Sequence, residues 1–264
     1  MNEQPLTISL VQSNLFWEDK KANLEMFEDK ISNLKGKTEV VILPEMFSTG
    51  FSMNPASLAE AMDGETVSWM KRIANENKVI VTGSLIIKEN GKYYNRLIWM
   101  LPTGKFGIYD KRHLFSYAGE EQFYSQGNTR CIASVKGWKI NLQICYDLRF
   151  PVWSRQGSTT ENIYDVLVYV ANWPAKRKDA WKTLLAARAI ENQCFVVGVN
   201  RVGEDGNAHL YEGESSILDP LGNIIFQKKG EETVITYTLS KEMLIKTREH
   251  FPFLKDADDF IINN

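Results

Sequence analysis

Cysteine is scarce in this sequence. The 264 residues contain three cysteines, Cys131, Cys145 and Cys194, and no two of them have Cys-x-x-Cys spacing. An odd, sparse set of thiols predicts neither a disulfide framework nor a zinc knuckle. The three histidines are scattered, without metal-ligand spacing or a neighbouring serine in a hydrolase motif. The composition therefore favours a reducing, cytoplasmic location and gives no reason to expect a metal site.

An excess of charge and long apolar runs are also absent. With 31 basic and 33 acidic residues the net charge is -2, so no basic field attracts nucleic acid or anionic lipid. The first residues have neither a basic segment nor a long apolar one, so no secretory signal is expected. The longest apolar runs, such as 166–171, have the length of a strand and cannot span a bilayer.

What the sequence does contain is typical of a globular α/β protein. Hydrophobic residues make up 44% and charged residues 24%. The periodicity of apolar residues predicts helices at 20–34, 66–77 and 179–191. It predicts strands at 6–12, 40–43, 79–87, 93–101, 106–109, 130–135, 139–144, 166–171, 195–199, 214–218, 224–226 and 234–237, the last three as hairpin strands around Pro220-Leu221-Gly222. No linker divides the chain, so we expect one domain, 1–264, with mixed sheets covered by helices.

Three reactive side chains follow predicted strands. Glu45 comes after VVILP, Lys111 after FGIYD and Cys145 after NLQI. Ligand sites of α/β proteins gather just beyond strand ends, where side chains leave the core on a rigid support. These three residues are therefore candidates for one site.

Cys145 has the most informative surroundings. A strand leads into it and the chain turns at once, which is the arrangement of a nucleophile elbow. The alternative is a buried structural thiol, because free cysteine is among the most buried residue types. Cys194, which begins the apolar run CFVVGV, fits that alternative best.

Glu45 and Lys111 each allow two interpretations. Glu45 lies between apolar residues, and a desolvated carboxylate there suits a general base. A solvated strand end is the alternative. Lys111 lies in the charged segment DKRH, which is also typical of a surface turn, and Glu120 and Glu121 lie in a polar loop.

Taken together, the motifs resemble those of the nitrilase superfamily of carbon-nitrogen hydrolases. Three segments resemble its signatures, in the same order and at similar spacing: 44–47 (PEMF), 109–115 (YDKRHLF) and 144–151 (ICYDLRFP). Further matches are 170–174 (VANWP), 187–193 (ARAIENQ) and 198–203 (GVNRVG). The segment 251–258 (FPFLKDAD) resembles the bacterial omega-amidase branch.

This resemblance implies a four-layer α-β-β-α sandwich of two mixed sheets covered by helices, without metal or cofactor. It implies a homodimer or higher homo-oligomer, with residues 240–264 at or near the interface. The catalytic glutamate, lysine and cysteine of the family fall on Glu45, Lys111 and Cys145. Its second glutamate falls best on Glu120, although a shift of one residue would give Glu121.

The implied activity is hydrolysis of the terminal amide of small 2-oxo acids, such as 2-oxoglutaramate and 2-oxosuccinamate. Cys145 would attack the amide, Glu45 would move the proton, and Lys111 with the Tyr146 backbone N–H would stabilise the oxyanion. The substrate carboxylate needs a cationic anchor, for which the candidates are Arg149, Lys176, Arg177 and Arg201. Phe115 and Trp173 are candidates for the pocket walls, together with Phe47, Phe51 and Tyr117.

Two alternatives remain open from the sequence. The same catalytic residues could act on another carbon–nitrogen bond, in deaminated glutathione, an N-carbamoyl amino acid or a nitrile. The chain could instead be a non-catalytic scaffold of the same fold. The joint presence of Glu45, Lys111 and Cys145 favours an enzyme.

Overall fold

The fold consists of two β-sheets packed face to face, with helices on both outer faces. A computed structural model describes residues 4–156, 163–258 and 260–262. Residues 1–3, 157–162, 259, 263 and 264 lie outside this description, including the last part of the 240–264 segment. The four-layer α-β-β-α arrangement expected from the resemblance is confirmed in the described residues.

The first sheet combines strands from both ends of the chain. Within the described residues its order is β13-β1-β2-β3-β4-β5. The strands are β1 (Leu6–Gln12), β2 (Val40–Ile42), β3 (Ile80–Glu89), β4 (Lys92–Met100), β5 (Phe106–Asp110) and β13 (Thr233–Leu239). β1, β2 and β3 are parallel, whereas β3–β4, β4–β5 and β1–β13 pair antiparallel.

The second sheet is formed by the latter half of the chain. In the described ranges its order is β10-β11-β9-β8-β7-β6, and β12 also pairs with β11. The strands are β6 (Cys131–Val135), β7 (Trp138–Ile144), β8 (Val166–Val170), β9 (Phe195–Val199), β10 (Val202–Glu204), β11 (Leu210–Leu218) and β12 (Ile224–Lys229). The parallel strands β8 and β9 are buried throughout, and β7 is buried except at Lys139, as expected for strands covered on both faces.

The outer layers are amphipathic helices. The described helices are α1 (Lys20–Ser32), α2 (Pro55–Leu58), α3 (Glu65–Asn77), α4 (Glu120–Phe123), α5 (Pro151–Ser154), α6 (Lys178–Asn192) and α7 (Lys241–His250). α1 and α3 cover the first sheet through side chains such as Phe27 and Met70. α6 covers the second sheet through Trp181, Leu185 and Ala189. In the described ranges no helix is long and apolar enough to cross a membrane.

The predicted elements are confirmed with small shifts at their ends, and two differences are informative. The predicted strand at 234–237 does not join the hairpin of β11 and β12. It belongs to β13, which pairs with β1 in the other sheet, Leu239 lying opposite Leu6. α7 was not predicted, because it is short and buries one residue, Leu244. Lys241 and Arg248 fix α7 to Asp165 through ion pairs.

Candidate active site

Glu45 lies three residues beyond β2 and is completely buried. Its Oε1 accepts a hydrogen bond from the Lys111 ammonium at 2.9 Å and from Asn95 Nδ2 at 2.8 Å. Its Oε2 accepts from the backbone N–H of Asn172 at 2.8 Å, and Asn172 Nδ2 donates to the backbone carbonyl of Glu45 at 2.6 Å. The solvated-glutamate interpretation is therefore wrong, because this carboxylate is buried and held by three donors.

Lys111 directly follows β5 and is also buried, with 1% of its side chain exposed. Its ammonium contacts both carboxylate oxygens of Glu120, at 2.9 and 3.0 Å, in addition to Glu45. The surface-turn interpretation of Lys111 is wrong for the same reason. A buried ammonium between two carboxylates is stabilised only while those partners remain in place.

The structure brings Glu120 into this cluster and leaves Glu121 outside. Glu120 is the first residue of α4 and is fully buried, and its Oε2 accepts a hydrogen bond from the Phe115 backbone N–H at 2.6 Å. Glu121, the next residue of α4, is exposed to solvent. The choice between the two that sequence left open is thus decided in favour of Glu120 as a member of the buried cluster.

Cys145 directly follows β7 and is the first residue of a turn. It has a φ of 41°, in the left-handed region that non-glycine residues rarely occupy, and a 3₁₀ turn at Cys145–Arg149 follows. Such strain is commonly retained where the surrounding structure enforces it at functional positions. The Cys145 Sγ lies 3.9 Å from the Asn172 carbonyl oxygen. Cys145 and Tyr146 both line the cavity described below.

The buried setting determines the charges of these groups. Burial, and next the Glu45 carboxylate, raise the pKa of the Cys145 thiol well above its ordinary value, so the thiol is protonated at neutral pH. Burial alone would lower the pKa of the Lys111 ammonium, but the carboxylates of Glu120 and Glu45 raise it above its ordinary value. Burial also raises the pKa of Glu120, against the opposing effect of Lys111. The resting cluster therefore contains a neutral thiol next to a charged ammonium.

The turn at Cys145 is held by a buried aspartate that sequence reasoning did not single out. Asp147 Oδ2 accepts from the Ile144 backbone N–H at 3.0 Å and from the Tyr109 hydroxyl at 2.7 Å. Its Oδ1 accepts from the His113 backbone N–H at 3.0 Å and lies 2.8 Å from His113 Nδ1. Asp147 thus joins the segment after β5, which carries Lys111, to the turn that carries Cys145. Asp147 comes two residues after Cys145 in the sequence, and this position next to the predicted nucleophile elbow was the signal that could have identified it.

Cys145, Lys111 and Glu45 line one cavity of about 600 Å³. Four of the predicted substrate-contacting residues line it too: Phe115, Arg149, Trp173 and Arg177. Arg149 lies over the Trp173 ring at 4.9 Å, and Arg177 over the Phe115 ring at 5.0 Å. Among the described residues neither guanidinium has an ion-pair or hydrogen-bond partner. Two half-buried cations are therefore available to an anion in this cavity.

Arg201 and Lys176 are corrections to the predicted set. Arg201 is fully buried and does not line the cavity. Its guanidinium donates to the backbone carbonyls of Leu15, Val202 and Glu204, and it lies over the Tyr211 ring at 4.8 Å. Arg201 therefore holds together the segments that contain these carbonyls, and it contacts the cavity lining through Tyr211. Lys176 is exposed and lies outside the cavity lining.

Four of the five aromatic residues predicted as pocket walls line the cavity. Phe51 and Tyr117 line the cavity with Phe115 and Trp173. Phe47 does not, because it packs in the core between the first sheet and its helices. In the part of the chain that the structure describes, no group of three or more His, Cys, Asp or Glu side chains is arranged to hold a metal ion.

The family described as carbon-nitrogen hydrolase matches residues 7–249. The chain belongs to the carbon-nitrogen hydrolase family. This hydrolase is 44% identical to omega-amidase YafV of Escherichia coli K12 over 256 residues, which cover 97% of this chain and 98% of that protein. It is 33% identical to 2-oxoglutaramate amidase of Bacillus subtilis over 253 residues, covering 95% and 96% of the two chains.

A solved structure shows the same fold. The crystal structure of XC1258 from Xanthomonas campestris, a CN-hydrolase superfamily protein with an arsenic adduct in its active site, superposes with a TM-score of 0.97 at 43% identity. The match covers 98% of this chain and 100% of that one. The resemblance inferred from the motifs is thus confirmed, and the carbon-nitrogen hydrolase fold extends over nearly the whole chain.

Proposed function

We propose that this carbon-nitrogen hydrolase cleaves the terminal amide of small 2-oxo acid amides, such as 2-oxoglutaramate and 2-oxosuccinamate, to the dicarboxylate and ammonia. The observation that carries the proposal is the Cys145 thiol, which lies at a strained turn and lines one cavity with Glu45 and Lys111. The Lys111 ammonium pairs with both Glu45 and the buried Glu120. A thiol supplies the nucleophile, a buried carboxylate moves the proton, and an ammonium stabilises negative charge.

In the acylation step Glu45 takes the proton of the Cys145 thiol as sulfur bonds to the amide carbon. The resting Lys111 ammonium has three N–H groups and three carboxylate contacts. Protonation of Glu45 removes its negative charge and weakens one of those contacts, so Lys111 can donate to the oxyanion at that moment. The Tyr146 backbone N–H is the second proposed donor. Each such donor contributes about 3 to 4 kcal/mol to the transition state.

The remaining steps return the proton. Glu45 gives its proton to the departing nitrogen as the carbon–nitrogen bond breaks, which releases ammonia and leaves a thioester on Cys145. Water then attacks the thioester, Glu45 takes the proton of that water, and the carbon–sulfur bond breaks. The thiol regains its proton from Glu45. Glu120, which contacts Lys111 through both oxygens, holds the ammonium in place during both halves.

The substrate class is supported by two relatives and by charge. The relatives at 44% and 33% identity are named omega-amidase and 2-oxoglutaramate amidase. A 2-oxo acid amide carries a carboxylate at the end opposite its amide, and the cavity offers Arg149 and Arg177 to it. An arginine binds a carboxylate through two parallel hydrogen bonds more favourably than a neutral donor does.

Replacing Arg149 or Arg177 with glutamine is expected to raise the KM for 2-oxoglutaramate by about 10- to 100-fold. This factor corresponds to the loss of one hydrogen bond to the substrate carboxylate, a charged group. Hydrolysis of an uncharged amide such as propionamide should change far less, because it has no carboxylate to anchor. Steady-state kinetics on both substrates measure the difference. The matched control is Lys176→Gln, since Lys176 is exposed outside the cavity. Equal losses on both substrates would count against an anchoring role.

Ammonia release across a panel of substrates tests the function itself. The panel contains 2-oxoglutaramate, 2-oxosuccinamate, glutamine, deaminated glutathione, N-carbamoyl amino acids and simple nitriles. We expect the highest kcat/KM with one of the two 2-oxo acid amides. A clear preference for nitriles would overturn the amidase assignment, and a preference for deaminated glutathione would move the substrate to that larger amide.

We also propose that the chain forms one domain and acts in the cytoplasm as a homodimer, with residues 240–264 at or near the interface. The family resemblance supports this assembly. So do Ile190 on α6 and Leu221, which are 55% and 48% exposed, since apolar patches on a surface commonly mark contact sites. Sedimentation velocity, repeated with Ile190→Glu, tests the dimer. A wild-type monomer would disprove it.

A further inference from the structure

Asn95 occupies a junction between the catalytic groups. It lies on β4 and is fully buried. Its backbone carbonyl accepts the N–H of Lys111 at 3.0 Å. Its side chain points to the same cluster, while the neighbouring Arg96 turns to the other face of the strand, where it pairs with Asp110. One residue is thus joined to the segment that carries Lys111 and to the carboxylates around it.

The amide nitrogen of Asn95 is shared by the two carboxylates. Nδ2 donates to Glu45 Oε1 at 2.8 Å and is 3.4 Å from Glu120 Oε1. Because both partners are carboxylate oxygens, the nitrogen end of the amide must face them. Asn95 Oδ1 is buried and has no hydrogen-bond partner among the described residues. Donation from Nδ2 to the two carboxylates therefore leaves the acceptor oxygen of Asn95 buried without a hydrogen bond. An unpaired buried oxygen costs free energy.

We propose that Asn95 is a positioning residue, whose amide holds Glu45 and Glu120 in their reactive orientation around Lys111 throughout the reaction. The inference rests on the proposed function only for the role of Glu45 as the base. Glu45 alternates between charged and neutral forms, and its attraction to Lys111 is lost in the neutral form. The Asn95 amide donates to a carboxyl oxygen in either form. It therefore keeps Glu45 aligned to return the proton.

The test compares Asn95→Leu with the wild-type protein. Leucine has a similar size and no donor, so we expect kcat to fall by about 100-fold, the cost of a small misplacement of a catalytic group. The KM should stay unchanged, because Asn95 does not line the cavity. Alkylation of Cys145 by iodoacetamide, followed by mass spectrometry, should slow as well, since it needs the same removal of the thiol proton and no 2-oxo acid.

Asn95→Asp supplies a signature that a merely structural role would not give. An ionised aspartate cannot donate to the two carboxylates, whereas a protonated one can. Burial and the neighbouring carboxylates of Glu45 and Glu120 raise the pKa of such an aspartate, so relative to wild type at the same pH its kcat should fall as the pH rises and recover on acidification. This variant also decides the matter if Asn95→Leu does not fold.

The matched control is Asn141→Leu. Asn141 is a buried asparagine on β7 whose Oδ1 also has no partner among the described residues, and it does not contact Glu45 or Glu120. Its kcat should equal that of wild type. An equal loss in the Asn141 variant, or a pH-independent effect of Asn95→Asp, would overturn the proposal. If wild type hydrolyses no amide of the panel but Asn95→Leu still slows alkylation, the proposed function fails and the role of Asn95 stands.

Discussion

Replacing Cys145 with alanine is expected to lower kcat for amide hydrolysis by at least about 10⁴-fold, because no covalent intermediate can form without the sulfur. The fold should persist. Alanine keeps the Cβ atom, so the left-handed backbone at φ 41° is strained to the same extent in both proteins. Ammonia release at saturating substrate measures the loss, and thermal melting measures the stability, which should be close to that of wild type.

Cys131→Ala is the matched control for this experiment. Cys131 is a half-buried thiol on β6 that packs against the core between the sheets. Its replacement should leave kcat unchanged. Mass spectrometry during turnover should find a transient increase of mass on the peptide that contains Cys145 in the wild-type and Cys131→Ala proteins, and no such increase in Cys145→Ala. Near-wild-type turnover by Cys145→Ala, with its melting temperature preserved, would rule out the thioester mechanism.

Replacing Glu45 with glutamine is expected to lower kcat by about 10³-fold or more, since a general base contributes about 10²–10⁴ and Glu45 serves in both halves of the reaction. The protein should still fold. Glutamine has the size of glutamate, and Lys111 keeps its ion pair with Glu120, so no buried charge is left without a partner. Single-turnover kinetics should find slow release of ammonia and slow release of the acid.

The matched control for Glu45→Gln is Glu121→Gln, an exposed residue next to Glu120. It should retain full activity, whereas Glu120→Gln should reduce kcat because Lys111 loses both contacts to that carboxylate. A full burst of ammonia from Glu45→Gln would contradict the assigned role, because acylation would then proceed without its base. Equal losses in the Glu120 and Glu121 variants would contradict the placement of Glu120 in the cluster.

The residues predicted from local patterns were those that follow strands. Glu45, Lys111 and Cys145 each come at or just after a strand end, which the apolar runs before them made visible. The parallel strands β7 and β8 place Cys145 and Asn172 at one edge of the second sheet. β2, β4 and β5 bring Glu45, Asn95 and Lys111 to the facing edge of the first. Strand ends are predictable because alternation and apolar runs are local properties.

The residues that sequence reasoning missed act through distant partners. Asn95, Asp147 and Asn172 are ordinary polar residues in their local context, and their importance lies in contacts across up to 127 positions of the chain. Arg201 was misplaced for the opposite reason. A loop arginine next to a motif suggests a ligand, but its guanidinium instead satisfies backbone carbonyls in a buried corner. Burial depends on the other sheet and its loops, which no local window contains.

By itself, the sequence determined the class of chemistry and most of the elements. Three ordered motifs around a glutamate, a lysine and a cysteine indicated the family, and the periodicity of apolar residues predicted the strands and long helices. Only the tertiary structure decided between Glu120 and Glu121, the sheet to which β13 belongs, and which arginines reach the cavity. The physical reason is that motifs and apolar periodicity depend on residues that are close together in the chain. Burial, charge pairing and access to a cavity depend on contacts between segments that are distant in the chain.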